Sequence, residues 1–177
     1  MNKYIVHHGK EAFPDVDFEF IDLGISGNQT KDLVDRLESD FIDIQPDIVS
    51  IMIGINDTWH HAGDKSWIPN EVFEARYRTV LEKIKTQTNA KIMIIEPFLV
   101  PVADKECFRE DLDPKIQIIR RLAREYADVY LPTDGLLAAA YIGHEPTEYA
   151  GDGVHPSSMG AEFIGKLYCE YVTPLIK

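Results

Sequence analysis

Ile48-Val49-Ser50-Ile51-Met52-Ile53 is an apolar run rich in β-branched residues, and it stops at Gly54-Ile55-Asn56-Asp57. A strand half exposed to water alternates apolar and polar residues; this one does not, as expected of a strand covered on both faces of a parallel sheet. Outward from it the chain alternates between strand and helix signals. On the N-terminal side, residues 30–42 set Leu33, Val34, Leu37, Phe41 and Ile42 at helical spacing, and Gln45-Pro46-Asp47 ends the pattern. Residues 17–23 (DFEFIDL) read as a strand ending at Gly24. On the other side come a helix over 70–86, a strand over 92–95, a long polar loop and a helix opened by Pro114 in its first turn. A short strand at 129–131, a helical stretch at 136–141 and a last helix after Pro156 follow. Strands separated by single helices make βαβ units, hence a parallel sheet between two layers of helices with right-handed crossovers. Ligands in such sheets sit beyond the carboxyl ends of the strands.

The bulk properties agree with one globular domain over residues 1–177. Hydrophobic residues make up 45% and charged residues 27%. Thirty acidic against eighteen basic residues give a net charge of −12, which repels nucleic-acid phosphates and anionic lipid heads; neither is an expected partner. Two cysteines, Cys107 and Cys169, are too few for a disulfide framework and have no metal-ligand spacing. No run of eighteen apolar residues occurs, and the opening MNKYIVHHGK has no signal-like stretch, so a cytoplasmic protein is the expectation.

Three clusters lie where a ligand would bind: Gly24-Ile25-Ser26-Gly27-Asn28, Gly54-Ile55-Asn56-Asp57, and Asp152-Gly153-Val154-His155-Pro156. Asp and His three apart in a Gly- and Pro-bounded loop can pair so that the carboxylate holds the Nδ1 proton, which fits the imidazole for acyl-transfer base chemistry. The same residues also serve as a turn capping the last helix. Asn56, after an apolar strand, is either an amide donor to an oxyanion or a turn former. Gly27 either exposes a backbone N–H or permits a left-handed turn.

Taken in order, GISGN, GIND and DGVHP resemble the motifs of the SGNH (GDSL-type) hydrolases. The stretch 50–57 followed by Trp59 is similar to the intracellular acetyl-xylan esterases of that group. The resemblance spans essentially the whole chain. It implies a flavodoxin-like three-layer α/β fold and hydrolysis of small carboxylic esters, O-acetyl sugars above all. It further implies His155 as general base, Asp152 as its orienting partner, and Gly27 and Asn56 as oxyanion-hole donors, with no metal or organic cofactor.

One block departs from that pattern. The family's nucleophile lies in Gly-Asp-Ser after its first strand, and no Gly-Asp-Ser occurs here; Gly63-Asp64 is followed by Lys65 and Gly151-Asp152 by Gly153. Tyr4-Ile5-Val6 has strand propensity, but as a first strand it would leave residues 9–16 to make the whole parallel crossover, which takes a dozen or more. The first strand and nucleophile loop are therefore expected to be missing, with residues 2–13 the tail of the family's first helix. Ser26 is not the expected nucleophile, because position 28 is Asn and the G-x-S-x-G elbow is not met. The alternative is a shortened, inactive homologue that at most binds ligands or oligomerises.

Other residues have plainer readings. His7-His8 and His60-His61 are adjacent pairs without an i, i+4 partner suited to zinc, and no metal site is expected. Trp59 and His60 sit past the GIND loop and are candidates to line a substrate pocket. Trp59, Trp67 and Tyr149 can stack on a sugar or pack in the core. Arg120, Arg121 and Arg124 form a charged helical face, solvated or paired with Glu125 and its neighbours. The expected partner is a small-molecule ester, and a homo-oligomer is allowed.

Overall fold

The computed structural model describes residues 2–176. Helix α1 (Asn2–Ala12) leads into an irregular stretch, followed by α2 (Thr30–Asp35) and a π-helical turn (Glu38–Ile42). Then come β1 (Ile48–Met52), α3 (Ile55–Trp59), α4 (Asn70–Gln87) and β2 (Lys91–Ile95). A 3-10 turn (Ala103–Phe108) precedes α5 (Arg109–Tyr126), β3 (Val129–Leu131), α6 (Thr133–Ala140) and α7 (Ser158–Ile176). The strands form a parallel sheet in the order β1-β2-β3, with Ile51 opposite Ile94 and Ile95 opposite Leu131.

Alternation along the strands sorts side chains between two helical layers. Val49, Ile51, Ile92 and Ile94 face Phe73, Tyr77, Val80, Leu81 and Ile84 of α4 and Ile118, Ile119 and Leu122 of α5. Met93, Ile95 and Leu131 face the other way, onto Val172 of α7, with Tyr168, Tyr171 and Phe13 around them. Each fully buried side chain of this size is worth about 1.5–3 kcal/mol over its exposed state. β2 is covered on both faces apart from Lys91, but β1 is not as expected: Val49 and Ile51 are buried on one face, while on the other Ser50 is exposed and Ile48 and Met52 are half-buried.

Four further expectations are corrected. Residues 17–23 form no strand, and Phe20 and Ile21 are left exposed. Strand propensity needs a ladder to act on, and among the described residues nothing pairs with this segment. The helix expected over 30–42 gives way after Asp35 to the π turn, in which Asp43 N–H reaches Glu38 O at 2.9 Å, while Leu37 and Phe41 stay buried. The loop after β2 is not polar: residues 96–100 are all buried. Its backbone is satisfied from other segments, with Leu99 N–H on Asp134 Oδ1 at 3.0 Å and Val100 N–H on Gly153 O at 2.8 Å. Finally, Pro114 is the sixth residue of α5, because the 3-10 turn runs straight into the helix and starts it at Arg109. The arginine face pairs with other carboxylates than Glu125: Arg120 binds the fully buried Glu96 and Arg121 binds Glu74, while Glu125 is bound by Arg78.

Candidate active site

The histidine loop is built on the buried segment after β2. Gly153 has φ +83°, and a Cβ there would come within 2.8 Å of Val100 O and 2.7 Å of Val102 Cγ2, so only glycine allows so close an approach. With the loop held by the Val100–Gly153 hydrogen bond, Asp152 turns inward and works twice. Its Oδ1 accepts the N–H of His155 at 2.7 Å and of Val154 at 3.0 Å; its Oδ2 lies 2.7 Å from His155 Nδ1. Partial burial works against the Asp152 anion, but the bonds from the His155 ring and the two N–H groups outweigh it and hold the carboxyl down at about 2. The imidazole itself is exposed, and among the described residues its Nε2 has no hydrogen-bond partner.

A second wall comes from the end of β1. Gly54, at φ +124°, turns the chain into α3, and a Cβ there would meet Phe73 at 3.3 Å. Asn56 in the first turn of α3 donates one amide hydrogen to Asn28 O at 3.1 Å, and Gln29 Nε2 donates to Asn56 O at 3.0 Å. Asp57 is fully buried and accepts both Thr30 N–H, at 3.0 Å, and Thr30 Oγ1, at 2.6 Å. These bonds tie the GISGN segment to α3. Burial raises the Asp57 carboxyl above its usual range, although the Thr30 bonds oppose that. Gly27 has φ +84°, and the nearest atoms to a Cβ there would be His60 Cε1 and Nε2, at 3.8 and 3.9 Å.

Trp59, at the other end of α3, joins the two walls: its ring centroid is 5.6 Å from that of His155 and 6.0 Å from that of Phe108. Gly27, Asn56, Trp59 and His60 thus gather on one side and Asp152 and His155 on the other, all beyond the carboxyl ends of β1 and β2. Ser26 is exposed and, like every other described serine, makes no hydrogen bond to His155. Tyr149 packs in the core and Trp67 is half-buried. Cys107 and Cys169 are free thiols.

Sequence reading passed over the supports of this site. Thr58 Oγ1 donates to Asp111 Oδ2 at 2.7 Å, and Asp111 is ion-paired with Lys115, whose Nζ also reaches Ile68 O at 3.3 Å. Lys115 is completely buried and Asp111 nearly so. Lys105 places its ammonium 5.2 Å from the Trp59 ring centroid. Their polarity among apolar neighbours was the available signal, but helical spacing alone reads such residues as a solvated face.

The profile of the GDSL-like lipase/acylhydrolase family matches residues 4–163. The chain belongs to that family. The acetylxylan esterase of Geobacillus stearothermophilus is 27% identical over 168 residues, which cover 93% of this chain and 77% of that protein. Its crystal structure superposes with a TM-score of 0.85 at 26% identity, covering 97% of this chain and 78% of the other. A protein described as a GDSL-like lipase from Parabacteroides merdae gives 0.87 at 27% identity, with coverage of 97% and 80%. The parallel α/β fold is the one these hydrolases share. Solved forms of the Geobacillus esterase include catalytic mutants in which a serine, an aspartate or a histidine is replaced by alanine. That aspartate and histidine stand three residues apart, the spacing of Asp152 and His155. No described helix is long and apolar enough to cross a membrane.

Proposed function

We propose that this site hydrolyses small carboxylic esters, with O-acetyl groups on sugars or oligosaccharides as the substrate class, by a serine mechanism. The observation that carries the reading is the Asp152–His155 bond at Nδ1, set opposite Asn56 and Gly27 with Trp59 between the walls. Asp152 fixes the tautomer, so that Nε2 carries the lone pair and faces out of the loop. The serine oxygen attacks the ester carbonyl carbon as Nε2 takes its proton. The oxyanion is held by the second amide hydrogen of Asn56 and the Gly27 N–H, a type of donor worth about 3–4 kcal/mol of barrier. Collapse expels the alcohol, which leaves with the proton from His155; water, deprotonated by the same nitrogen, then releases the acid. Trp59 and His60 line the pocket for the alcohol portion.

Residues 1–177 hold no Gly-Asp-Ser. The proposal assigns the nucleophile to a Gly-Asp-Ser strand paired with the outer edge of β1, beside Asn56. The test is acetate release from acetylated xylo-oligosaccharides by residues 1–177 alone and by the same residues joined to such a strand. The expected result is turnover in the joined form only, abolished by His155→Ala. Turnover of the joined form that survives His155→Ala would remove His155 from the mechanism.

A further inference from the structure

Helix α1 gathers three potential metal ligands that the proposed reaction does not use: His7, His8 and Glu11. At about 100° per residue, His8 lies about 100° round the helix from His7, and Glu11 about 40° round and one turn on. The carboxylate therefore falls between the two imidazoles. The reading of this pair as lacking a suitable partner overlooked Glu11, which is i+4 from His7 and i+3 from His8.

The distances favour a shared ion over direct contact. His7 Nε2 is 3.6 Å from one Glu11 oxygen and His8 Nδ1 is 3.5 Å from the other. The three ligand atoms lie within 4.8 Å of one another, and the imidazole centroids are 5.3 Å apart. Hydrogen bonds run at about 2.7–3.2 Å, shorter than either gap. Two ligands on one tetrahedral ion, with bonds of about 2.0–2.1 Å, stand about 3.4 Å apart, close to what is observed. His8 adds an independent constraint. Its ring packs toward Gly165 of α7, and its Nε2 is buried without a hydrogen-bond partner. Held there, the His8 ring keeps its other nitrogen, Nδ1, toward Glu11.

We infer that His7, His8 and Glu11 form a three-ligand site for a divalent transition metal ion of the zinc type, with water completing the coordination. Two imidazole nitrogens select against magnesium and calcium, which take oxygen ligands. All three ligands lie on α1, which packs on α7, so an ion bound only by the folded helix acts on stability, apart from the ester chemistry.

The test titrates the reduced 177-residue chain with Co2+, followed by its visible absorption, and with Zn2+, followed by calorimetry and thermal melting. His7 and Glu11 are both well exposed, so His7→Ala and Glu11→Gln leave the metal-free melting point in place. The expected result is one ion per chain and a rise in melting point with Zn2+ but not Mg2+. Affinity should weaken by about tenfold or more in either variant. Binding that both substitutions leave unchanged, or the absence of any zinc-dependent rise in melting point in the parent chain, overturns the site.

Discussion

Replacing Lys115 with Met removes one charge from a pair that lies wholly inside the protein and leaves the other stranded. The Lys115 side chain is fully buried, and its ammonium touches Asp111 Oδ1, Ile68 O and the face of Phe73. Met fills nearly the same volume, so the loss is electrostatic. Breaking a buried pair from one side costs about 3–5 kcal/mol, since among the described residues Asp111 then keeps the Thr58 hydroxyl alone. For a domain of this size each kcal/mol lowers the melting point by about 2–4 °C, so a fall of roughly 10 °C is expected by calorimetry or circular dichroism. Substituting Asp111→Leu as well removes the stranded charge, and the double variant should be more stable than Lys115→Met alone, although Thr58 then loses its acceptor. Thr58 lies two residues from Asn56 on α3, so the single variant should also loosen the proposed oxyanion donor. A fall of less than about 2 °C, or a double variant whose loss equals the sum of the two singles, would refute the argument.

In the form joined to a Gly-Asp-Ser strand, Asn56→Ala is expected to lower kcat by about 10²–10³ with little change in KM, since the amide acts on the transition state; a loss confined to KM would assign Asn56 to substrate binding. Two of the glycines with positive φ, Gly27 and Gly153, should differ. Gly27→Ala meets nothing closer than 3.8 Å and costs only the conformational strain of about 1–2 kcal/mol, whereas Gly153→Ala also collides with Val100 O and Val102 and should melt several degrees lower; equal losses would show that the contacts at Gly153 do not matter. Carboxyl NMR titration should place Asp152 near 2 and Asp57 above 3.8. Because the folded pKa of Asp152 is depressed, its contribution to stability is present above about 4 and is lost as pH falls toward about 2; Asp57, with a raised folded pKa, costs stability as pH rises through about 4. An Asp152 midpoint at or above 3.8 would contradict the hydrogen-bonding account.

The elements that read correctly from sequence are those whose cause is local. Residues 48–53 and 92–95 announce strands by composition, and 70–86 announces a helix by period, so β1, β2 and α4 fall within a residue of expectation, although two-sided burial holds for β2 and not for β1. Where the cause is distant, local signals mislead. Residues 17–23 have the composition of a strand but no described partner, and 96–100 look like a linker although tertiary contacts bury them. The candidate site divides in the same way. Asp152 and His155 lie within one short loop, so their pairing is visible in spacing. By contrast, the bonds from Asn28 and Gln29 to Asn56, and from Thr30 to Asp57, join residues 27 or 28 positions apart. The Asp111–Thr58 bond spans 53 positions, and nothing in local sequence foretells it. Glu11 was legible by helical spacing, since it stands one turn from His7.

The central claim is that His155, with Asp152, serves a serine absent from residues 1–177, and labelling with a fluorophosphonate probe, followed by locating the adduct by peptide mass, tests it most directly. The chain of 177 residues should take up no label. Joined to a Gly-Asp-Ser strand, it should take up one equivalent on that serine, and His155→Ala should abolish the reaction. A stoichiometric, His155-dependent adduct on Ser26 or on any other serine of the 177 residues would contradict the claim.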